Sequence, residues 1–145
     1  MRYLIIIIFF ILSCSKPNKY SLTGNVNLND DDKVFLVQMK DNRPVLIDSS
    51  TVVSGEFKFS DSINFPEMHY LFFEKITGNI PFVLEPGNIK IDVYKDSLRS
   101  SKITGTKSNK DWTDYLSQTQ PYTSELNNIQ IEINQSLRLG DSVLI

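Results

Sequence analysis

The sequence predicts a mainly β fold: an antiparallel β-sandwich or partly open barrel of about seven strands, followed by C-terminal helices. Between Tyr20 and Tyr94, short runs rich in β-branched and aromatic residues alternate with polar residues. Turn-forming residues separate these runs at intervals of about 8–12 residues, which is typical of antiparallel sheets. After Gly105 the alternation ends, and apolar residues recur instead at helical spacing.

Seven runs are predicted as strands because each has apolar residues at alternate positions or in a short block. They are Leu22–Leu28, Val34–Met39, Val45–Val53, Glu56–Phe59, Met68–Phe73, Pro81–Leu84 and Asn88–Val93. Ser54-Gly55 predicts a tight hairpin in which Gly55 adopts a positive φ. Beyond this turn, Phe57 and Phe59 alternate with charged residues, so we expect both rings to face the core.

The region after Gly105 predicts two helices. Ser108 is the predicted N-cap of the first helix, with Asp111 three residues later. Pro121 is expected to interrupt this helix or to begin the second one, and Gly140 is a plausible C-cap. The apolar residues of the second helix fall on one face, which needs a partner surface. They are Leu126, Ile129, Ile133 and Leu137.

The N-terminal residues predict export and lipid anchoring. Arg2 precedes an apolar run, Tyr3–Leu12, that would span about 15 Å as a helix, half of a ~30 Å bilayer core. Ile11-Leu12-Ser13-Cys14 resembles the bacterial lipobox, and the resemblance implies that Cys14 is acylated and becomes the first residue of the mature chain. An ordinary secretory signal with a chance cysteine is the alternative.

These features divide the chain into four parts. They are a lipoprotein signal peptide (1–13), a lipidated tether (14–19), a β-sandwich domain (20–106) and a helical appendage or linker (107–145). The tether is polar and lacks the acidic run that resembles surface-export signals, which favours the periplasmic face of the outer membrane. The membrane, reached through the N-terminal lipid, is therefore a predicted partner.

Composition excludes several classes of function. Removal of residues 1–13 takes away Arg2 and moves the formal net charge from −2 to −3. Such mild acidity offers no basic surface for nucleic acid. Cys14 is the only cysteine, so no disulfide forms within the chain and stability must come from a hydrophobic core.

No metal site is predicted. His69 is the only histidine and lies in a strand rich in aromatic residues, so we expect a packing or surface role rather than zinc binding. Asp30, Asp31 and Asp32 lack the spaced ligands, glycine and closing glutamate of an EF-hand. A solvated hairpin turn is the preferred interpretation of these three residues.

No catalytic or cofactor-binding residue is predicted either. Glu85 precedes Pro86-Gly87 and is interpreted as part of a turn, since no partner carboxylate is identifiable. Ser49 and Ser50 lack the glycine-flanked elbow of serine hydrolases. Aromatic residues at strand positions are more often core than ligand-binding, although a ligand surface is the alternative for three of them, Tyr70, Phe72 and Phe73.

Three short segments predict covalent modification. Asp61-Ser62-Ile63, Asp96-Ser97-Leu98 and Asp141-Ser142-Val143 each resemble an Asp-Ser-aliphatic acceptor pattern for O-glycosylation in exported bacterial proteins. The resemblance implies glycans on Ser62, Ser97 and Ser142, and turns tolerate such additions. Unmodified polar turns are the alternative.

Much of the chain resembles a known family. The carrying segments are Asp48–Phe59, Pro66 with Tyr70-Leu71, Phe82–Ile89, Ile103–Thr106 and Asn109. They are similar to a β-rich N-terminal domain of unknown function in Bacteroidetes-type periplasmic lipoproteins. The resemblance covers roughly residues 20 to 115. It implies that the domain precedes a thioredoxin-like domain, related to redoxins and thiol-disulfide oxidoreductases, through a helical segment.

The family's redox activity has no counterpart in these residues, because a thiol-disulfide enzyme needs an activated thiolate, usually in a Cys-x-x-Cys pair. We therefore expect a non-enzymatic accessory module that needs no cofactor. Its expected partner is a thioredoxin-like domain or another periplasmic protein. The alternative is a stand-alone lipoprotein that binds a peptide or glycan on its sheet face. Whether the chain is a fragment or a complete relative stays open.

Overall fold

A computed structural model describes residues 18–139, in which eight strands precede one long helix. A short 3-10 helix, Leu98–Ser100, connects the last two strands. The elements are β1 (Lys19–Asn25), β2 (Lys33–Lys40), β3 (Arg43–Thr51), β4 (Glu56–Ser62), β5 (Glu67–Phe73), β6 (Ile76–Leu84), β7 (Gly87–Asp92), β8 (Lys102–Thr104) and α1 (Lys107–Leu139).

The strands form two four-stranded sheets. Sheet A has the order β4-β1-β7-β8, and sheet B has the order β3-β2-β5-β6. Neighbouring strands are antiparallel except for β1 and β7, which run parallel. The predicted mainly β, sandwich-type fold is confirmed, and the sheets are not closed into a barrel.

The core lies between the two sheets. Along each inner strand, buried residues alternate with residues that are more exposed, as expected where one face packs and the other meets water. The predicted inward position of Phe57 and Phe59 is confirmed, since both rings are buried. Phe57 also meets Phe73 of sheet B edge to face, with 6.1 Å between ring centroids. Aromatic packing therefore joins the two sheets.

Gly24 makes room for the Phe57 ring. The two residues are paired across β1 and β4. A Cβ atom on Gly24 would overlap the ring atoms of Phe57. A residue without a side chain is needed here because the ring occupies the space above the backbone.

The turn between β3 and β4 carries the chain from sheet B to sheet A. Both Ser54 and Gly55 have positive φ, 53° and 77°, which confirms the prediction for Gly55. Val26 donates its N–H to the Gly55 carbonyl at 2.8 Å. Asp30 Oδ1 accepts the Ser54 N–H at 2.7 Å. The turn is therefore held by the neighbouring loop as well as by its own residues.

The first turns of α1 are bonded to β6, an edge strand of sheet B. The Asn109 side chain accepts the Val83 N–H at 2.9 Å and donates to the Val83 carbonyl at 2.7 Å. The Trp112 indole donates to the Pro81 carbonyl at 3.3 Å. Side chains of α1 thus take the place of a neighbouring strand and protect this edge.

The opposite edge of sheet B, β3, is protected differently. It contains Pro44, which edge strands tolerate because the missing N–H then faces solvent. A β-bulge leaves Ile47 without a partner between the pairs Leu36–Asp48 and Val37–Leu46. Proline and bulges both discourage pairing with another strand. Neither edge of sheet B is therefore suited to strand addition.

Two predictions about the C-terminal half are wrong, the pair of helices and the N-cap, and one strand was not predicted. The eighth strand, β8, was not predicted because its three residues are too few to show alternation. One continuous helix, with Pro121 inside it, replaces the two predicted helices. Proline removes one backbone donor and leaves the Ser117 carbonyl without it. Because Ser117 is exposed, this carbonyl is not a buried unpaired group.

The predicted N-cap is also wrong. The helix begins at Lys107, so Ser108 lies inside its first turn. Its N–H and hydroxyl both donate to the Glu85 carboxylate, at 2.9 and 2.8 Å. A carboxylate near the N-terminus of a helix is favourable to the helix dipole. Gly140, the predicted C-cap, lies outside the described residues.

Among the described residues, no helix is both long and apolar enough to cross a membrane.

Candidate functional site

The outer face of sheet B is the most unusual surface of the sandwich. In one row across the strands, Phe35 is paired with Phe72. In the next row, Leu46 pairs with Val37, Val37 with Tyr70 and Tyr70 with Pro81. Paired residues project to the same side of a sheet. The aromatic rings of β2 and β5 therefore stand side by side on the solvent side.

Exposure shows that this face forms its own apolar layer. Phe35, Tyr70 and Phe72 are half-buried, whereas Leu46 at the β3 edge is 59% exposed. Val37 is only 7% exposed, although it does not belong to the core cluster. Val37 lies between Leu46 and Tyr70 in its row, so apolar side chains adjoin it on both sides. We call this surface the apolar face, defined by Phe35, Val37, Leu46, Tyr70, Phe72 and Pro81.

The outer face of sheet A is different. Its residues alternate with the buried positions of the same strands and are all polar. They include Ser21, Thr23, Glu56, Lys58, Ser60, Asn88 and Lys90. A polar outer face is the usual state of a solvated sheet. The apolar face of sheet B is therefore a property of that sheet and not of the sandwich as a whole.

Contiguous apolar surface on a soluble domain marks a binding site more often than an accident of composition. Four strands about 4.8 Å apart span roughly 14 Å, and this width matches a small contact patch rather than a large interface. Side chains of α1 occupy part of one edge, and Pro44 with a bulge interrupts the other, so we expect a partner to bind through side-chain packing. The sequence left a core role or a ligand-binding role open for three aromatic residues. Tyr70 and Phe72 lie on the apolar face, and Phe73 is in the core.

His69 lies on the inner side of β5, and it is 3% exposed. Nδ1 donates to the Glu67 carbonyl at 3.2 Å, and the ring lies beside Phe82. Burial lowers the pKa of His69 below its ordinary value, although the bond to Glu67 opposes this shift. Of the two roles predicted for His69, packing inside the sheet or exposure at the surface, the structure confirms packing.

The acidic turn is structural. Asp30 binds the β3–β4 turn, and Asp32 Oδ2 accepts the Asn29 N–H at 3.3 Å. Asp31 has a positive φ of 75°. Asp32 is buried rather than solvated, which corrects the prediction for that residue. Within residues 18–139, no group of three side chains is arranged to hold a metal ion.

The other residues considered for catalysis have structural partners. Glu85 binds the start of α1, as described above, so its carboxylate is committed to the joint between helix and sheet. Ser50 Oγ accepts the Lys58 N–H at 3.2 Å, which connects β3 to β4. Ser49 is exposed on β3. The structure brings none of these three together with His69.

A shallow cleft of about 750 Å³ lies at the end of the sandwich where the β1–β2, β5–β6 and β7–β8 connections meet. Its lining includes Asn29, Asp32, Lys75, Lys95 and Asp96. Charges of both signs line the cleft, and it opens widely to solvent. Sequence patterns did not indicate this cleft because its residues come from three separate loops.

Two of the four predicted modification sites can be placed. Ser62 is exposed at the last position of β4. Ser97 is exposed beside the 3-10 helix, where its hydroxyl lies 2.8 Å from that of Ser100. Cys14 and Ser142 lie outside the described residues. Exposure makes Ser62 and Ser97 accessible, and their glycosylation stays a prediction.

The predicted apolar stripe of α1 is exposed. Leu126, Ile129, Ile133 and Leu137 all lie beyond the turns that contact the sandwich. The helix continues past Tyr115 for 24 further residues, or about 36 Å at 1.5 Å per residue. The sandwich therefore does not cover the stripe.

Comparison with known proteins identifies the domain. Residues 20–112 match the family described as Domain of unknown function (DUF4369). No curated protein matches the chain. The matched region runs from β1 to Trp112, so it includes both sheets and the hydrogen bonds that fix the start of α1. The chain belongs to the DUF4369 family.

Proposed function

We propose that this protein is a membrane-anchored periplasmic lipoprotein whose β domain is a non-catalytic accessory module. The module recognises a protein partner through the apolar face of sheet B. One observation carries the proposal: an apolar face stands on the outside of sheet B, while the equivalent side of sheet A is polar. Partner recognition explains this asymmetry because a docked protein removes the face from water.

The proposed partner is a periplasmic protein with a thioredoxin-like domain. The motivation is the resemblance of the chain to lipoprotein domains that precede such domains. The rigid joint between β6 and α1 supports a positioning role, since Glu85, Asn109 and Trp112 fix the direction in which the helix leaves the sandwich. A module of this kind holds its partner at a defined place without contributing catalytic groups.

Photocrosslinking in intact cells tests partner recognition. A photoreactive phenylalanine analogue at Tyr70 should give an adduct with a protein that contains a thioredoxin-like domain, identified by mass spectrometry. The same analogue at Thr23, on the polar face of sheet A, is the matched control. Equal labelling from both positions, or no adduct from Tyr70, would argue against the accessory module.

A second candidate function is binding of a peptide or glycan on the same face. The specific observation in its favour is that Phe35, Tyr70 and Phe72 lie in two adjacent rows of the sheet. Their rings offer a surface on which a ligand can stack. If the ligand is a peptide or glycan, it should bind to the parent chain but not to the Tyr70→Ser variant. The photoreactive residue at position 70 should then form no adduct with a protein. The two candidates therefore differ in a single experiment.

Lipid anchoring is tested separately. Cys14→Ser should abolish labelling by a radioactive fatty acid and block normal maturation, because thioether acylation requires the cysteine sulfur. Persistent lipid labelling of the substituted protein would refute the proposed anchor.

The proposed absence of redox activity is also testable. Thiol-disulfide exchange and peroxide reduction proceed through a thiolate, and Cys14 is the only cysteine. We expect the lipidated chain to be inert toward insulin disulfides and peroxide in the presence of a thiol reductant. Turnover above a boiled control that a substitution in this chain abolishes would overturn the accessory role.

A further inference from the structure

Three residues of the exposed stripe of α1, together with Tyr122, have the spacing of a helix-pairing seam. Tyr122, Leu126, Ile129 and Ile133 follow one another at intervals of four, three and four residues, and all four are exposed. Such alternation of four and three brings side chains to one side of a helix that packs against another helix. Thr119 precedes this seam and Ser136 follows it at the same spacing, so a polar residue limits it at each end.

We propose that two copies of this chain pair through the seam as antiparallel helices. Antiparallel pairing about a centre between Asn127 and Asn128 sets Tyr122 against Ile133 of the second copy and Leu126 against its Ile129. Each contact occurs twice, which gives four apolar layers. The same alignment sets Thr119 against Ser136 at both ends. The pattern is therefore complementary to itself, as a two-fold interface requires.

The antiparallel direction follows from the position of the sandwich. Trp112 lies two heptads before Leu126, on the same side of the helix, and it binds the sandwich through the Pro81 carbonyl. The sandwich thus stands on the side of the helix that the seam faces. A parallel pair would bring two sandwiches into the same space. An antiparallel pair places them at opposite ends of the helices.

The charged residues near the seam distinguish antiparallel from parallel pairing. Glu125 and Glu132 are the only charged residues between Tyr115 and Leu137. Each lies one position before a seam residue, and antiparallel pairing brings Glu125 of one copy beside Glu132 of the other. Like charges at this distance weaken the pair modestly. Glu132→Lys should therefore tighten an antiparallel pair, whereas in a parallel pair these two positions do not meet.

Four layers form an interface at the small end of the range for specific complexes, so the pair is weak in dilute solution. If the chain is anchored as proposed above, tethering on one membrane raises the effective concentration of the two copies. The pairing itself does not require the anchor or the partner of the apolar face. A test in detergent therefore separates this proposal from the proposed function.

Sedimentation equilibrium of the full-length chain in detergent measures the pairing. Ile129→Arg should raise the dissociation constant at least tenfold, because it places a charge in a central layer. Ile131→Arg is the matched control: Ile131 is 53% exposed and Ile129 is 45% exposed, but Ile131 lies on the far side of the helix. Circular dichroism establishes that both variants keep their helix.

Cysteine crosslinking establishes the direction. Two differently tagged copies, one with Tyr122→Cys and one with Ile133→Cys, should form a mixed crosslink with a short bismaleimide. The unsubstituted chain sets the background from Cys14. A chain that remains monomeric at about 1 mM, a concentration that populates even weak pairs, would overturn the proposal. Equal effects of the two arginine variants, Tyr122-to-Tyr122 crosslinks, or weakening by Glu132→Lys would do the same.

Discussion

The two sheets of this sandwich share one kind of inner face but have opposite outer faces. The inner faces of both are apolar and pack into a single core. Sheet A turns serine, threonine, asparagine and charged residues toward solvent, whereas sheet B turns Phe35, Tyr70 and Phe72 outward. Folding requires only the inner faces to be apolar. The outward aromatic residues of sheet B are thus the part of the sequence that folding alone does not explain.

The difference also appears at the sheet edges. In sheet B, side chains of α1 satisfy the backbone of β6, and Pro44 with a bulge interrupts β3. In sheet A, one edge strand, β8, has only three residues. Sheet B therefore combines an apolar outer face with edges that resist strand addition, which directs binding to the face and limits aggregation.

The largest loss of stability is expected for substitution of a core aromatic residue, and a much smaller loss for an aromatic residue of the apolar face. Phe57→Ala should lower the free energy of unfolding by about 3–5 kcal/mol, because the buried ring leaves a cavity between the sheets. Phe72→Ala, on the apolar face, should cost about 1 kcal/mol, since its ring is already partly in water. Urea melts of both variants measure this difference. Equal losses would show that the outer face is as structural as the core.

A loss of about 2–4 kcal/mol is expected for Asn109→Ala. The substitution leaves the Val83 N–H and carbonyl, and the Thr106 hydroxyl, without their side-chain partner, and each buried unpaired group costs about 1–3 kcal/mol. Asn128→Ala, at an exposed position of the same helix, should change stability by less than about 0.5 kcal/mol. Similar denaturant midpoints for the two variants would contradict the proposed closure of the β6 edge.

Gly55→Val, in the turn that joins the sheets, should cost about 1–2 kcal/mol because a β-branched residue is strained at positive φ. Ser54→Gly is the matched control in the same turn, and it should be neutral or slightly stabilising, since glycine relieves the positive φ of 53° at that position. Thermal melts compare the two. A Gly55→Val protein as stable as the parent would exclude the observed turn.

The smallest effect concerns His69 on the inner face of sheet B. Burial lowers its pKa in the folded state, so the unfolded chain binds more protons as pH falls through the ordinary value of 6.5. Its contribution is therefore fully present above that pH and is lost as pH falls below it. We expect the urea midpoint to decrease from pH 7.5 to 5.5. His69→Gln should flatten this slope, and an unchanged slope would assign the pH dependence to other groups.

Local patterns were sufficient for much of the fold. The seven predicted strands are all present, and the positive φ of Gly55 was expected from the turn that it forms. Alternation also predicted that Phe57 and Phe59 are core. Patterns failed where the signal was short or where distant residues decide the outcome. β8 has three residues, and Ser108 binds Glu85, which lies 23 residues earlier, instead of capping its own helix.

The candidate site was predictable only in part. Sequence identified Tyr70 and Phe72 as strand residues with two alternatives, but it did not assign them to the outer face. A strand residue faces inward only if its side of the strand packs against the other sheet. When both sides of a strand are apolar, the sequence of that strand does not reveal which side is the inner one. The pairing of Phe35 with Phe72 and of Val37 with Tyr70 required the register of β2 and β5.

Local sequence patterns were enough to predict the mainly β class, the Ser54-Gly55 turn, the buried rings of β4 and the apolar stripe of α1. These properties depend on the period of the side chains along one element, and the chain carries that period locally. The packing of the two sheets was needed to establish that Asn109 closes an edge and that sheet B has a second apolar face. Each of these depends on contacts between residues far apart in the chain, whose partners are defined only when the two sheets pack.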